Sequence, residues 1–205
     1  MAIGTSLNKL TKEFYTQDVL TVAKELLGKS FCKVNEDGTF LSGKIVEVEA
    51  YNKINDEAAH SFKGVTKRNE VMFMGGGHLY IYFIYGMYFC ANVITGYQDS
   101  GSAVLIRGIE PLTGIDAMGT NRFGHSDLSK KEFNNLTNGP GKICLAYNLS
   151  KNNNGENLLS DRIFISDAQN ISSQKIVVTT RIGIKKSVEL PWRFFIKDNP
   201  FVSGK

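Results

Sequence analysis

HLYIYFIYGMYFCANV, residues 78–93, places four tyrosines and two phenylalanines in sixteen positions. The run alternates as two strands do, with Tyr85-Gly86-Met87 as the turn between them. On the first strand Tyr80 and Tyr82 share one face, and Ile81 and Phe83 the other; on the return strand Tyr88, Cys90 and Asn92 share a face. Tyrosine suits a half-wet surface better than a core, because its hydroxyl needs a partner once buried, and a buried asparagine amide needs one too. The stretch therefore reads either as an aromatic core hairpin or as a platform on which something flat stacks.

Strand patterns continue on both sides of it. Residues 31–35 and 39–50 alternate around a Glu36-Asp37-Gly38 turn, which predicts a second hairpin. AVLIRGIEP, residues 103–111, predicts another strand, and RIFISD, KIVVTTRIGI and WRFFIKD predict three more near the C-terminus. The first thirty residues predict helix: Thr16 or Asp18 caps a run in which Val19, Val22, Ala23, Leu26 and Leu27 fall at helical spacing, and Gly28 stops it. Residues 112–160 read as helix and loop, and residues 52–77 as irregular. No repeat or linker divides the chain, so the expectation is a single α+β domain over residues 1–205, a curved and mainly antiparallel sheet flanked by helices.

Composition narrows the class. At 205 residues with 42% hydrophobic and 21% charged residues, the chain has the balance of a globular protein with one core. No run reaches the length of a membrane helix, and the N-terminus lacks the pattern of a secretory leader. Cys32, Cys90 and Cys144 are odd in number and without CxxC spacing, which favours reduced thiols over disulfides or a zinc site. The net charge of +4 permits a polyanionic partner without requiring one. With eighteen lysines against six arginines, each arginine is worth scrutiny as a planar bidentate donor.

Three strands carry polar groups that a plain core would not choose. In KIVEVEAY strict alternation puts Ile45, Glu47 and Glu49 on one face, which by itself is how the wet side of an edge strand looks. Asn92 sits in the apolar return strand of the tyrosine hairpin, and Arg107 interrupts the apolar run SAVLIRGIE, where it would pair with a glutamate. His60, in DEAAHS, lies eleven residues beyond Glu49. Each has a bland structural reading; together they suit a flat heteroaromatic ligand with a hydrolysable bond.

IVEVEAY, DEAAHSFKG, TKRNEVMF, HLYIYFIYGMYFCANV, AVLIRGIEP, NGPGKICLA, RIGI, PWRFFI and NPFVSGK resemble, in order and spacing, the alkyladenine (3-methyladenine) DNA glycosylase family. The resemblance implies a monofunctional base-excision-repair enzyme without metal or redox cofactor. Such an enzyme flips a damaged purine out of duplex DNA and hydrolyses its N-glycosidic bond, because the bond is out of reach inside the stack. It implies double-stranded DNA as the partner, action as a monomer, and a bacterial cytoplasmic location at the nucleoid. Glu49 resembles the base that activates water, and Arg107 the group that holds that water and a phosphate with it. Tyr51 and Tyr82 resemble the two walls of the base pocket, His60 its hydrogen-bonding edge, and Asn92 the gatekeeper against the amino group of normal guanine. Tyr85 resembles the wedge a β-hairpin inserts into DNA, leaving Tyr80, Ile81, Phe83, Ile84 and Phe89 to packing. Lys63, Lys67 and Arg68 are expected on phosphates.

The family pattern reads roughly RTPRN where this chain has VTKRN at 65–69, and GPPGH where it has GGGH at 75–78; both departures fall in a loop expected to meet the DNA backbone. Two other classes are weighed against this one. A non-catalytic stacking module needs no pocket carboxylate. An oligosaccharide glycosidase needs two opposed carboxylates, whereas Glu47 and Glu49 lie about 7 Å apart on one strand.

Overall fold

The computed structural model describes residues 8–204. Helices α1 (Lys12–Tyr15) and α2 (Val19–Leu26) open it. The cap of α2 is Asp18, whose carboxylate accepts the Leu20 N–H at 2.9 Å, and Gly28 turns the chain away at φ 88°. Strands β1 (Ser30–Val34) and β2 (Phe40–Tyr51) form the expected hairpin, and Gly38 takes the positive φ of its turn. A 3-10 turn at Glu70–Phe73 leads to β3 (Leu79–Ile84), β4 (Tyr88–Thr95) and β5 (Ser102–Thr113). Helices α3 (Ile115–Phe123), α4 (Lys130–Asn134) and α5 (Pro140–Ala146) follow, then β6 (Ile163–Ser166), β7 (Ile176–Thr179) and β8 (Arg193–Ile196).

The strands make one curled antiparallel sheet in the order β3-β4-β5-β2-β1-β6. At β2 it forks: the first half of β2 pairs with β1 and the second half with β8, which also pairs with β7. The core lies between one face of the sheet and the helices, where Val22 and Leu26 of α2 and Ile143 and Ala146 of α5 meet Val48, Ala50, Val104 and Ile106. The α2 stripe falls on that face because its apolar residues recur every three to four positions. The opposite face is left for the site.

Which side chains reach that face is decided by bulges. Ile45 pairs with Ile109, Glu47 with Gly108 and Val48 with Ile106, so Val46 is an extra residue in β2 and Arg107 an extra residue in β5. Strict alternation placed Ile45 beside Glu47 and Glu49; the Val46 bulge instead turns Ile45 into the core and leaves both glutamates on the other side. The edge-strand reading fails as well. β2 has a neighbour on each side, and both glutamates are 0% exposed.

Two further expectations change. The strand foreseen over 175–184 ends at Thr179, because Arg181 turns inward to an ion pair and Gly183 adopts φ 77°. Residues 75–77, expected at the DNA, are buried, with Gly76 so close to the Tyr15 carbonyl that a Cβ would sit 2.2 Å from it. A glycine there answers to packing.

Candidate active site

A cavity of about 520 Å³ opens on the face opposite the core, within the range typical of small-ligand pockets. Tyr51 of β2, Tyr80 and Tyr82 of β3, Cys90 and Asn92 of β4, and Leu105 and Arg107 of β5 form its floor and sides. His60 closes one edge, the loop after β7 another through Ile182 and Lys185, and Pro140 and Gly141 at the start of α5 a third. Gly141 lies against the Tyr88 ring, where a Cβ would come within 3.2 Å.

Six sequence-selected residues thus meet at one cavity: Tyr51, His60, Tyr82, Tyr85, Asn92 and Arg107. Glu49 stands immediately behind them, held by donors on both oxygens. Its Oε1 accepts the Ile182 N–H at 2.7 Å, and its Oε2 accepts the Tyr51 hydroxyl at 2.8 Å and lies 3.4 Å from an Arg107 Nη. Glu47, two residues earlier, is spoken for elsewhere. It accepts Arg193 Nε at 2.7 Å, Arg107 Nε at 3.3 Å, and the Ser203 hydroxyl and N–H at 2.9 and 2.5 Å. Arg107 therefore bridges the two carboxylates, Glu47 in its own buried network and Glu49 directly behind the cavity wall.

The aromatic members are fixed by contacts among themselves. The His60 and Tyr82 rings stand edge to face at 4.5 Å between centroids, and His60 Nδ1 lies 3.1 Å from the Tyr80 hydroxyl. Tyr80, assigned by sequence to plain packing, thus lines the cavity and orients the histidine. Partial burial against these rings, helped by the Arg68 cation, pulls the His60 pKa below its ordinary value. Burial pushes the Tyr82 and Tyr51 phenols up, with the Glu49 charge adding to the effect at Tyr51, so both stay protonated donors. The Cys90 thiol is raised for the same reason, and all three cysteines are free and buried. Asn92 finds its partner across the hairpin, donating to the Tyr80 carbonyl at 3.1 Å.

At the cavity mouth the hairpin tip projects. Tyr85 is 77% exposed, and it and Gly86 both hold positive φ, 52° and 69°, as the turn joining β3 to β4. A tyrosine in the left-handed region is uncommon and strained, a cost that the surrounding structure offsets. Phe83, Met87 and Tyr88 beside it are also exposed. Lys63, Lys67 and Arg68 are exposed on the neighbouring loop, where Arg68 donates to the Phe83 carbonyl at 3.4 Å. That loop is held by Asn69, buried in the TKRN motif, which donates to the His60 and Gly64 carbonyls and accepts the Thr66 N–H at 2.6 Å. Sequence reasoning passed over Asn69 and Tyr80, and over Arg181, Ile182, Lys185 and Lys186, which follow β7. Arg181 had one available signal, its rarity among so many lysines.

A cavity walled by aromatic rings, with an imidazole at its edge and a buried carboxylate behind it, defines a class: an enzyme pocket for a flat ligand. Residues 13–200 match the model of the Methylpurine-DNA glycosylase (MPG) family, and the chain belongs to that family of DNA glycosylases. A protein of Clostridium novyi named "Putative 3-methyladenine DNA glycosylase" is 46% identical over 205 residues, covering 97% of this chain and 100% of its own length. Proteins of the same name from Alkaliphilus oremlandii and Bacillus cytotoxicus are each 45% identical over 203 residues, covering 96% and 95% of this chain and 100% and 99% of their own lengths. No helix among the described residues is long and apolar enough to cross a membrane.

Proposed function

We propose that the protein excises 3-methyladenine and related damaged purines from duplex DNA by a single hydrolytic step. The extruded base lies between Tyr51 and Tyr82, and stacking of this kind contributes roughly 1–3 kcal/mol while tolerating different lesions. His60, with Nδ1 engaged by Tyr80, presents its remaining nitrogen to the base edge. Asn92 stands at the pocket floor to reject the exocyclic amino group of guanine, its orientation set by the Tyr80 carbonyl. Tyr85 fills the gap the base leaves, and Lys63, Lys67 and Arg68 engage phosphates that position the duplex without reading it.

The chemistry falls to Glu49. Water on the sugar side gives a proton to the carboxylate as its oxygen bonds to C1′ and the C1′–N bond breaks, the base keeping the electron pair. An alkylated base that carries positive charge leaves neutral and needs no acid. Arg107 and the Tyr51 hydroxyl keep the carboxylate from rotating, and its charge steadies the cationic sugar as the bond opens. Strand cleavage would need an amine such as lysine as nucleophile; Lys185 and Lys186 sit at the cavity edge on the loop after β7, and the proposed single hydrolytic step gives them no covalent role.

The observation that carries this reading is the convergence of Tyr51, His60, Tyr82, Asn92 and Arg107 on one cavity with buried Glu49 held behind it. Purified protein, given duplex DNA treated with a methylating agent, is expected to release free 3-methyladenine and leave intact strands with abasic sites. Failure to release any base from methylated or deaminated duplexes overturns it.

A further inference from the structure

Asp56 and Arg181 form a fully buried ion pair that neither the motif reading nor the glycosidic chemistry assigns a task. The guanidinium donates to both carboxylate oxygens, at 2.6 and 2.7 Å, and both side chains are 0% exposed. Its position is informative. Arg181 Nη1 also donates to the Ala50 carbonyl at 2.9 Å, on the strand between Glu49 and Tyr51, and Nη2 donates to the Ser187 carbonyl at 3.3 Å. Its Cζ lies over the Tyr51 ring at 4.6 Å from the centroid and over the Trp192 ring at 5.3 Å, so the guanidinium packs against both. Asp56 in turn accepts the N–H groups of Asn52 and Ala58, fixing the turn that delivers His60. The residue next to Arg181 is Ile182, whose N–H holds Glu49 Oε1.

We infer that Arg181 is the positioning residue of the site, locking Glu49, Tyr51 and His60 into one arrangement through a single guanidinium. Two stretches remote in sequence meet at it: the end of β2 with the 52–60 turn that follows it, and the 181–187 loop. The contacts divide by task. Stacking sets the plane of the Tyr51 wall, the bidentate pair with Asp56 sets the turn carrying His60, and the backbone beside Arg181 sets one oxygen of Glu49. Lysine, a point charge on a flexible stem, satisfies neither the fork nor the stack. The outer rim repeats the tie between the two loops, with Glu57 N–H donating to Ser187 Oγ at 3.0 Å and Lys186 paired with Glu57 at 2.6 Å.

The inference rests on Glu49 as the base, so its test separates the two claims. Single-turnover base release from methylated duplex, affinity for a duplex carrying a stable abasic analogue, and thermal melting are measured for the wild type, Arg181→Lys, and the pairwise Asp56→Asn/Arg181→Met, which removes both charges together. The expected result is a melt above the assay temperature for the pairwise variant, abasic-duplex affinity within threefold of wild type, and release slowed thirtyfold or more. Arg181→Lys is expected to recover less than a third of that loss. A folded pairwise variant releasing base within threefold of wild type overturns the positioning role. So does loss of the folded melt in both variants, which would make the pair a brace for the whole fold. Absence of release by the wild type overturns the glycosylase reading, and with it the role of Glu49.

Discussion

Replacing Glu47 by glutamine separates the two carboxylates of β2 by what each does. Glu47 is buried and meets donors on every side: Arg193 and Arg107 through Nε at 2.7 and 3.3 Å, and Ser203 through its N–H and hydroxyl at 2.5 and 2.9 Å. An amide in its place keeps one acceptor and turns a second oxygen into a donor facing donors. Arg193, nearly buried, loses its counter-ion, and Arg107 loses one of two, keeping Glu49 at 3.4 Å. Breaking such a pair on one side costs about 3–5 kcal/mol, consistent with two charge-assisted hydrogen bonds at roughly 1.5–3 kcal/mol each. For a chain of this length each kcal/mol lowers Tm by about 2–4 °C, so the expected drop is roughly 6–20 °C by scanning calorimetry. The Ser203 amide should also lose protection against hydrogen exchange, since its carboxylate acceptor is gone. Below its melt, the variant should still release base at least tenfold faster than Glu49→Gln. A Tm within about 2 °C of wild type would refute the claim that this network carries stability.

Tyr85→Gly should leave Tm unchanged or raise it by up to roughly 4 °C, because glycine relieves the left-handed backbone at φ 52°. The same variant should weaken lesion-duplex binding roughly 5- to 150-fold in a titration, the equivalent of one stacked ring. Each of Lys67→Ala and Arg68→Ala should reduce the slope of log affinity against log salt by about one, without changing which lesion is preferred. His60 is held below its ordinary pKa of about 6.5, so the unfolded chain takes up its proton first. The His60 contribution to stability is therefore complete above about pH 6.5 and is lost as pH falls toward the depressed folded value. Melting followed between pH 7.5 and 5 should show an acid slope that His60→Gln flattens.

Much of this architecture is legible in the residue pattern. Alternation around Tyr85-Gly86 foretold the hairpin whose tip leads to the cavity, and the spacing of Val19, Val22 and Leu26 foretold the helix on the core. Alternation failed at Val46, because a bulge inserts one residue and exchanges the faces beyond it, and single-strand periodicity carries no record of its partner's register. Asn92 and Arg107 were visible as polar intrusions in apolar runs, which is why they could be singled out. Tyr80 was not, since a tyrosine that packs and a tyrosine that holds a histidine look alike along the chain. Arg181 escaped for a different reason. Its partners Tyr51 and Asp56 lie in one stretch 125 or more residues earlier, and only the pairing of β8 with β2 brings that stretch to Arg181 and Trp192. The GGGH run looked like a loop at the substrate and is a buried packing contact against Tyr15.

The central claim is that Glu49 performs the chemistry and contributes little to holding the lesion. Single-turnover release of 3-methyladenine from methylated duplex by Glu49→Gln, with duplex affinity measured on the same preparation, tests it most directly. The account predicts release slowed by roughly 10²- to 10⁴-fold, the usual worth of a general base, with affinity within about threefold of wild type. Release by Glu49→Gln within a few-fold of wild type would contradict it.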